Sequence, residues 1–147
     1  MQRIPFYGQQ TEWTCGAACV RMVFAFFGIK KSENAWVREL KTKRDKSGTL
    51  HKNIVVVAEK YKRTYIVARN ARIADLRSVI KQGYLVIVGY WLVEHNCAHY
   101  AVVRKIDGKK VHLLDPWYGP RQAYSPAAFK KVWRDGEGEK GWFVGIK

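Results

Sequence analysis

From Cys15 to Phe27 almost every position is apolar, and Gly28 closes the run. A helix that is apolar on nearly every side is buried all round, so this segment is expected inside the core. Ser32 caps a short second helix, Glu33 to Lys41, with Trp36, Val37 and Leu40 inward. Leu50, Ile54, Val57, Ala58 and Tyr61 stand at helical spacing and predict a third helix from Leu50 to Tyr61. Thr64 to Ala68 reads as a short strand. Ala74 to Gln82 reads as a helix with Leu76, Val79 and Ile80 inward, closed by Gly83. The second half changes character. Tyr84 to Trp91 is a continuous β-branched and aromatic run, expected of a central strand. His99 to Lys105 and Lys110 to Asp115 flank Asp107-Gly108, a hairpin signal. Ser125-Pro126 starts a short helix through Trp133, and Trp142 to Ile146 is a last strand. Helices first and a mostly antiparallel sheet after them predict an α+β fold, with the N-terminal helices packed on the sheet.

The 147 residues suit one domain, 1–147, and a 48% hydrophobic content fills its core without disulfides. Three cysteines at irregular spacing point to a reducing compartment. The first residues carry no signal-peptide stretch. No apolar run approaches the roughly 18 residues of a membrane span, so the expected location is cytoplasmic. Lys plus Arg number 27 against 12 Asp plus Glu, a net charge of +15. That charge attracts polyanions without specificity. The basic residues are spread along the chain, and no helix-turn-helix, zinc-finger or RNA-recognition pattern accompanies them.

Cys15 is the residue that suggests chemistry. A helix start carries unpaired N–H groups and partial positive charge, and both favour thiolate, the nucleophilic form. Such a nucleophile needs a histidine, and the histidine needs a partner that fixes its tautomer. The hairpin offers His99 and Asp115. A three-residue loop, Ile106-Asp107-Gly108 with Gly108 left-handed, sets His99 opposite Asp115 with Cβ atoms about 5 Å apart. A two-residue loop, Asp107-Gly108, sends them to opposite faces. The sequence leaves both registers open.

Three segments resemble one family: Gln9-Gln10-Thr11-Glu12-Trp13-Thr14-Cys15-Gly16-Ala17-Ala18-Cys19, His99-Tyr100-Ala101-Val102-Val103, and Leu114-Asp115-Pro116-Trp117-Tyr118-Gly119. They are similar to the bacteriocin-processing, double-glycine leader peptidases, which are papain-like cysteine peptidases, and specifically to stand-alone members. The resemblance implies a papain-like α+β fold and hydrolysis of peptide bonds in a peptide or protein substrate through an acyl-thioenzyme. It implies Cys15 as nucleophile, His99 as general base and acid, and Asp115 as orienting carboxylate. Gln9, six residues before Cys15, becomes the oxyanion donor, with Gln10 as the one-residue alternative. Gly16, lacking a side chain, is expected to leave room for substrate, and Trp13 and Trp117 to line the cleft. Two other readings stand beside this one. The same cysteine serves transglutaminase or acyltransferase chemistry, or the chain is an idle basic binding module for polyanions.

No cofactor and no metal are expected. His95-Asn96-Cys97-Ala98-His99 alternates ligand types, and in an extended strand all three ligands face one side, but no second ligand pair at zinc-finger spacing follows. Cys19 reads as core packing. Trp91, Tyr118 and Trp133 read as core and cleft wall, and His51 and His112 as surface or strand residues without a role.

Overall fold

The first helix, α1 (Cys15–Phe26), is buried at every position from Cys15 to Ala25 except Arg21. Arg21 lies over the Tyr7 ring at 4.0 Å. Phe27 ends the helix, and Gly28 follows at φ +85°, a left-handed turn that only glycine adopts without strain. The Ser32 hydroxyl caps α2 (Glu33–Leu40) by accepting from Ala35 N–H. Next come α3 (His51–Lys60), β1 (Tyr65–Ala68) and α4 (Ile73–Lys81). Leu50 is corrected: it stands at the cap of α3, extended and 40% exposed, one residue short of the helix whose apolar face it was expected to join.

The remaining strands are β2 (Leu85–Leu92), β3 (Cys97–Ile106), β4 (Val111–Asp115), β5 (Gly119–Tyr124) and β6 (Phe143–Ile146), with α5 (Pro126–Val132) before the last. β5 has no alternation of apolar and polar residues to announce it. It carries Pro120 and lies at a sheet edge, where a missing N–H is tolerated. The six strands run antiparallel in the order β1-β6-β2-β3-β4-β5. This computed structural model describes residues 3–135 and 139–147.

The period-2 alternation of the strands divides the core in two. Ile87, Tyr100, Val102, Leu114 and Val144 pack with α1, α2 and α3 on one face. Val88, Tyr90, Ala101, Val103 and Leu113 pack with α4 and α5 on the other. α1 lies against β3. Gly16 makes close packing possible at its first turn, because a Cβ there would stand 2.6 Å from Thr49 Cβ. The expectation that Gly16 opens space for substrate is therefore corrected: Thr49 fills that space.

Neither sequence-derived register of the β3–β4 hairpin forms. Ile106 pairs with Val111 across a four-residue loop, and Asp107 Oδ1 closes the loop by accepting from Lys109 and Lys110 N–H at 2.9 and 2.8 Å. Gly108 is not left-handed. That loop alone would put His99 and Asp115 on opposite faces. The register then shifts at Arg104, so that Val103 pairs with Leu113 and Val102 with Leu114. Continued, this register sets Asp115 opposite Ala101, two residues from His99 and on its face.

Gly16→Ala should destabilise the fold by about 1–3 kcal/mol through overpacking against Thr49, read as a lower urea midpoint at unchanged slope. Wild-type stability in that variant would show that the α1 contact yields freely.

Candidate active site

His99 is 4% exposed and pairs with Tyr90 of β2 in the strand ladder, with the two rings edge to face at 5.5 Å. Asp115, the last residue of β4, is fully buried. Its Oδ1 lies 2.9 Å from His99 Nε2 and accepts from Trp117 and Tyr118 N–H at 2.9 and 3.0 Å. Its Oδ2 accepts from the Tyr90 hydroxyl. Burial alone would raise this carboxyl, but its donors, His99 first, hold it below the usual carboxylate range. An ionised Asp115 only accepts, so His99 Nε2 carries the proton and donates. Nδ1 is the nitrogen left for another partner.

Cys15 acts on the same imidazole by charge and by a hydrogen bond. It is 8% exposed, at the first position of α1, and lines one cleft with His99. Cys15 comes from the helix layer on the face opposite to His99, so the two meet at the end of the sheet, where Tyr90, His99 and Asp115 also stand. Burial disfavours a charged His99. The negative charge of the Cys15 sulfur, the Asp115 hydrogen bond and a hydrogen bond with Cys15 outweigh it and raise the imidazole from its ordinary 6.5 to about 9. The first turn of α1 has no side-chain cap and no acidic residue. Its N–H groups thus stay unclaimed by side chains beside the sulfur.

Gln9 belongs to the same cleft. Its N–H donates to Pro116 O at 2.9 Å, which ties it to the segment after Asp115. Its Nε2 donates to Thr11 O at 2.7 Å, while Oε1 is buried without a partner. Gln9 lines the cleft and Gln10 does not. The cleft, about 860 Å³, is also lined by Trp13 and Trp117. Of the residues singled out from sequence, Gln9, Trp13, Cys15, His99 and Trp117 face this space, Asp115 stands behind His99, and Gly16 packs under Thr49.

Sequence reasoning missed three participants. Tyr90 lay within a strand run that gave no sign of its hydroxyl's task. The Trp117 and Tyr118 N–H groups belong to the turn that Pro116 begins. His51, read as a surface residue, is half-buried in the cleft, stacked on Trp142 at 3.8 Å, with Nδ1 on the Tyr100 hydroxyl. Among the described residues, His51, Asp135 and Glu139 have polar atoms within 4.8 Å of one another, close enough to share an ion. Glu139 is bound to Arg69 at 3.1 Å, and Asp135 accepts from Glu139 N–H at 2.8 Å. His95 leaves the alternation with Cys97 and His99, because it ends a 3₁₀ turn before β3 begins.

A buried histidine held by a carboxylate, facing a cysteine at a helix start across a cleft, defines the class of papain-like cysteine peptidases. The chain belongs to the Peptidase C39 family, whose sequence profile matches residues 3–136, and it is a cysteine peptidase of that family. No curated protein sequence matches it. The fold is similar to the peptidase domain of Streptococcus ComA, a bifunctional ABC transporter involved in a quorum-sensing pathway, with a TM-score of 0.78 at 20% identity over 98% of each chain. It is similar to a protein described as a C39-like peptidase from Bacillus anthracis, with a TM-score of 0.79 at 15% identity over 99% of this chain and 94% of that one. It is also similar to a double glycine motif protease from an AMS/PCAT transporter in complex with the leader peptide, with a TM-score of 0.74 at 19% identity over 99% and 93%. Among the described residues, no helix is long and apolar enough to cross a membrane.

The charged imidazole of His99 stabilises the folded state fully below pH 6.5, and this contribution is lost as pH rises through about 9. An NMR titration of the His99 ring should show a midpoint near 9. Cys15→Ser should lower it by removing the sulfur's charge. A wild-type midpoint at or below the ordinary histidine value would contradict the pairing.

Proposed function

We propose that the chain hydrolyses peptide bonds through an acyl-thioenzyme formed on Cys15. His99 Nδ1 takes the thiol proton, and the sulfur attacks the scissile carbonyl carbon. The carbonyl oxygen gains negative charge as its π bond breaks. The Gln9 side-chain N–H and the Cys15 backbone N–H stabilise that charge. As the C–N bond breaks, His99 returns its proton to the leaving amine. Water then attacks the thioester carbon with His99 again as base, the C–S bond breaks as the Cys15 sulfur leaves, the proton held by His99 passes to that sulfur, and the carboxylic acid departs. Asp115 remains ionised throughout, orients the imidazole and stabilises its charged form.

The observation that carries this reading is the pairing of His99: its Nε2–H is committed to Asp115, and Cys15 acts on the same imidazole by charge and hydrogen bond. A peptide substrate fits a cleft walled by Trp13 and Trp117, and a neighbour of the same fold was solved with a leader peptide. The +15 charge is assigned to the outer surface, since Glu12, Asp45, Asp135 and Glu139 line the cleft against only Arg44 and Lys46. Polyanions drawn by that charge bind outside the site.

Covalent labelling by a thiol-directed peptidase inhibitor should vanish in Cys15→Ala, and equal labelling of both proteins would sink the proposal. Gln9→Ala should reduce kcat for a cleaved peptide by about 10²–10³-fold, the cost of one oxyanion donor, while iodoacetamide still alkylates Cys15 at the wild-type rate.

A further inference from the structure

Glu33 is a buried carboxylate that the proposed mechanism does not use. It is the first residue of α2 and 1% exposed. An acidic residue at a helix start usually answers the helix dipole, but here Ser32 already caps α2. The Glu33 side chain instead turns to the segment before Cys15. Both of its oxygens accept from the Gln10 N–H, at 3.1 and 3.2 Å. Burial raises its pKa, and Gln10, a hydrogen bond with the Thr14 hydroxyl and the charge of Arg21 oppose that rise. Glu33 thus holds the backbone of the residue adjacent to Gln9.

From Gln10 to Cys15 the loop is closed on itself. Thr11 N–H and Thr11 Oγ1–H both donate to Thr14 Oγ1, at 3.1 and 3.0 Å, the Thr14 hydroxyl donates to Thr11 O at 3.1 Å, and Gln9 Nε2 donates to the same oxygen. The far side of Gln9 is fixed to Pro116. An oxyanion site depends on the spacing of its two donors, and a misplacement of about 1 Å costs on the order of 10²-fold in rate. We infer that Glu33 is a positioning residue: by bracing Gln10, and through it the closed Thr11–Thr14 loop, it sets the spacing between the Gln9 side chain and the Cys15 backbone N–H. This rests on the reading of Gln9 as an oxyanion donor.

Two probes on the full chain separate positioning from general structure. Iodoacetamide forms an S–C bond at Cys15 as iodide leaves, and no oxyanion arises. A short peptide aldehyde adds the sulfur to its carbonyl carbon, and the resulting hemithioacetal oxygen occupies the oxyanion site. Glu33→Ala should weaken aldehyde affinity by about 10–10²-fold and leave the alkylation rate near wild type. Glu33→Gln, which keeps an oxygen for the Gln10 N–H, should recover most of the loss. In a Gln9→Ala background, Glu33→Ala should cost little more. Unchanged aldehyde affinity in Glu33→Ala would overturn the inference. So would an equal loss in both probes, or an undiminished cost in the Gln9→Ala background. Unchanged aldehyde affinity in Gln9→Ala alone would instead overturn the Gln9 reading, and this inference with it.

Discussion

The carboxylate of Asp115 is the group on which the site depends. A buried charge is costly unless nearby donors replace the water it loses. Asp115 has four: the His99 imidazole, two N–H groups of the turn that follows it, and the Tyr90 hydroxyl. The four donors come from three parts of the local structure, namely β3, the β4–β5 connection, which supplies two, and β2. One charge therefore fixes where three pieces of backbone stand relative to one another. Its effect reaches Gln9 as well, because Pro116, the next residue, accepts the Gln9 N–H. The negative charge then does chemical work on His99, where it and the sulfur together overcome the burial that would otherwise keep the ring neutral.

That contact is possible only because of how β3 pairs with β4. Side chains alternate across a sheet, so an error of one residue in register moves every side chain to the other face. The loop of the hairpin has the wrong parity for His99 and Asp115, and the irregularity at Arg104 restores it. The bulge also serves packing. With it, Leu113 and Val103 lie in the α4–α5 layer while Leu114 and Val102 lie in the α1 layer. The same shift that joins the site also keeps both halves of the core apolar.

The helices and inner strands were legible because each carries one dominant periodicity. α1 follows from an unbroken apolar run, and β2 from β-branched and aromatic residues buried on both faces. The Ser32 and Ser125 caps were legible because a hydroxyl before a helix has few other uses. β5 was not, because an edge strand answers to hydrogen bonding with β4 rather than to burial. The hairpin register was not, because Asp107-Gly108 permits several loops and the choice depends on side-chain bonds to Lys109 and Lys110 and on a bulge remote from the turn. For the candidate site, the sequence pointed to the residues whose type announces chemistry. It was silent about Tyr90, Glu33 and the turn N–H groups, whose contributions depend on long-range approach. Glu33 is 23 residues from Gln10, and nothing in its local pattern separates it from an ordinary acidic residue at a helix start.

Three imidazoles line the same cleft, those of His51, His95 and His99, and the surroundings of His51 and His99 drive those two apart. His51 has Nδ1 on the Tyr100 hydroxyl. That hydroxyl's single proton goes to Thr49 O at 2.8 Å, so Nδ1 of His51 is the donor in the pair. Burial lowers the His51 pKa, and the charges of Glu139 and Asp135 only partly offset it, with Arg69 acting in the same direction as burial. Burial thus disfavours a charged His51, which sits between the Tyr100 hydroxyl and the Trp142 ring. His99 is held ready for charge by a carboxylate on one side and a sulfur on the other. Environments that push like groups to different protonation states divide their roles. A base for Cys15 must accept a proton and keep it until a leaving group needs it. Among the histidines facing this cleft, His99 has that environment, with the Asp115 carboxylate bonded to it and the Cys15 sulfur acting on it.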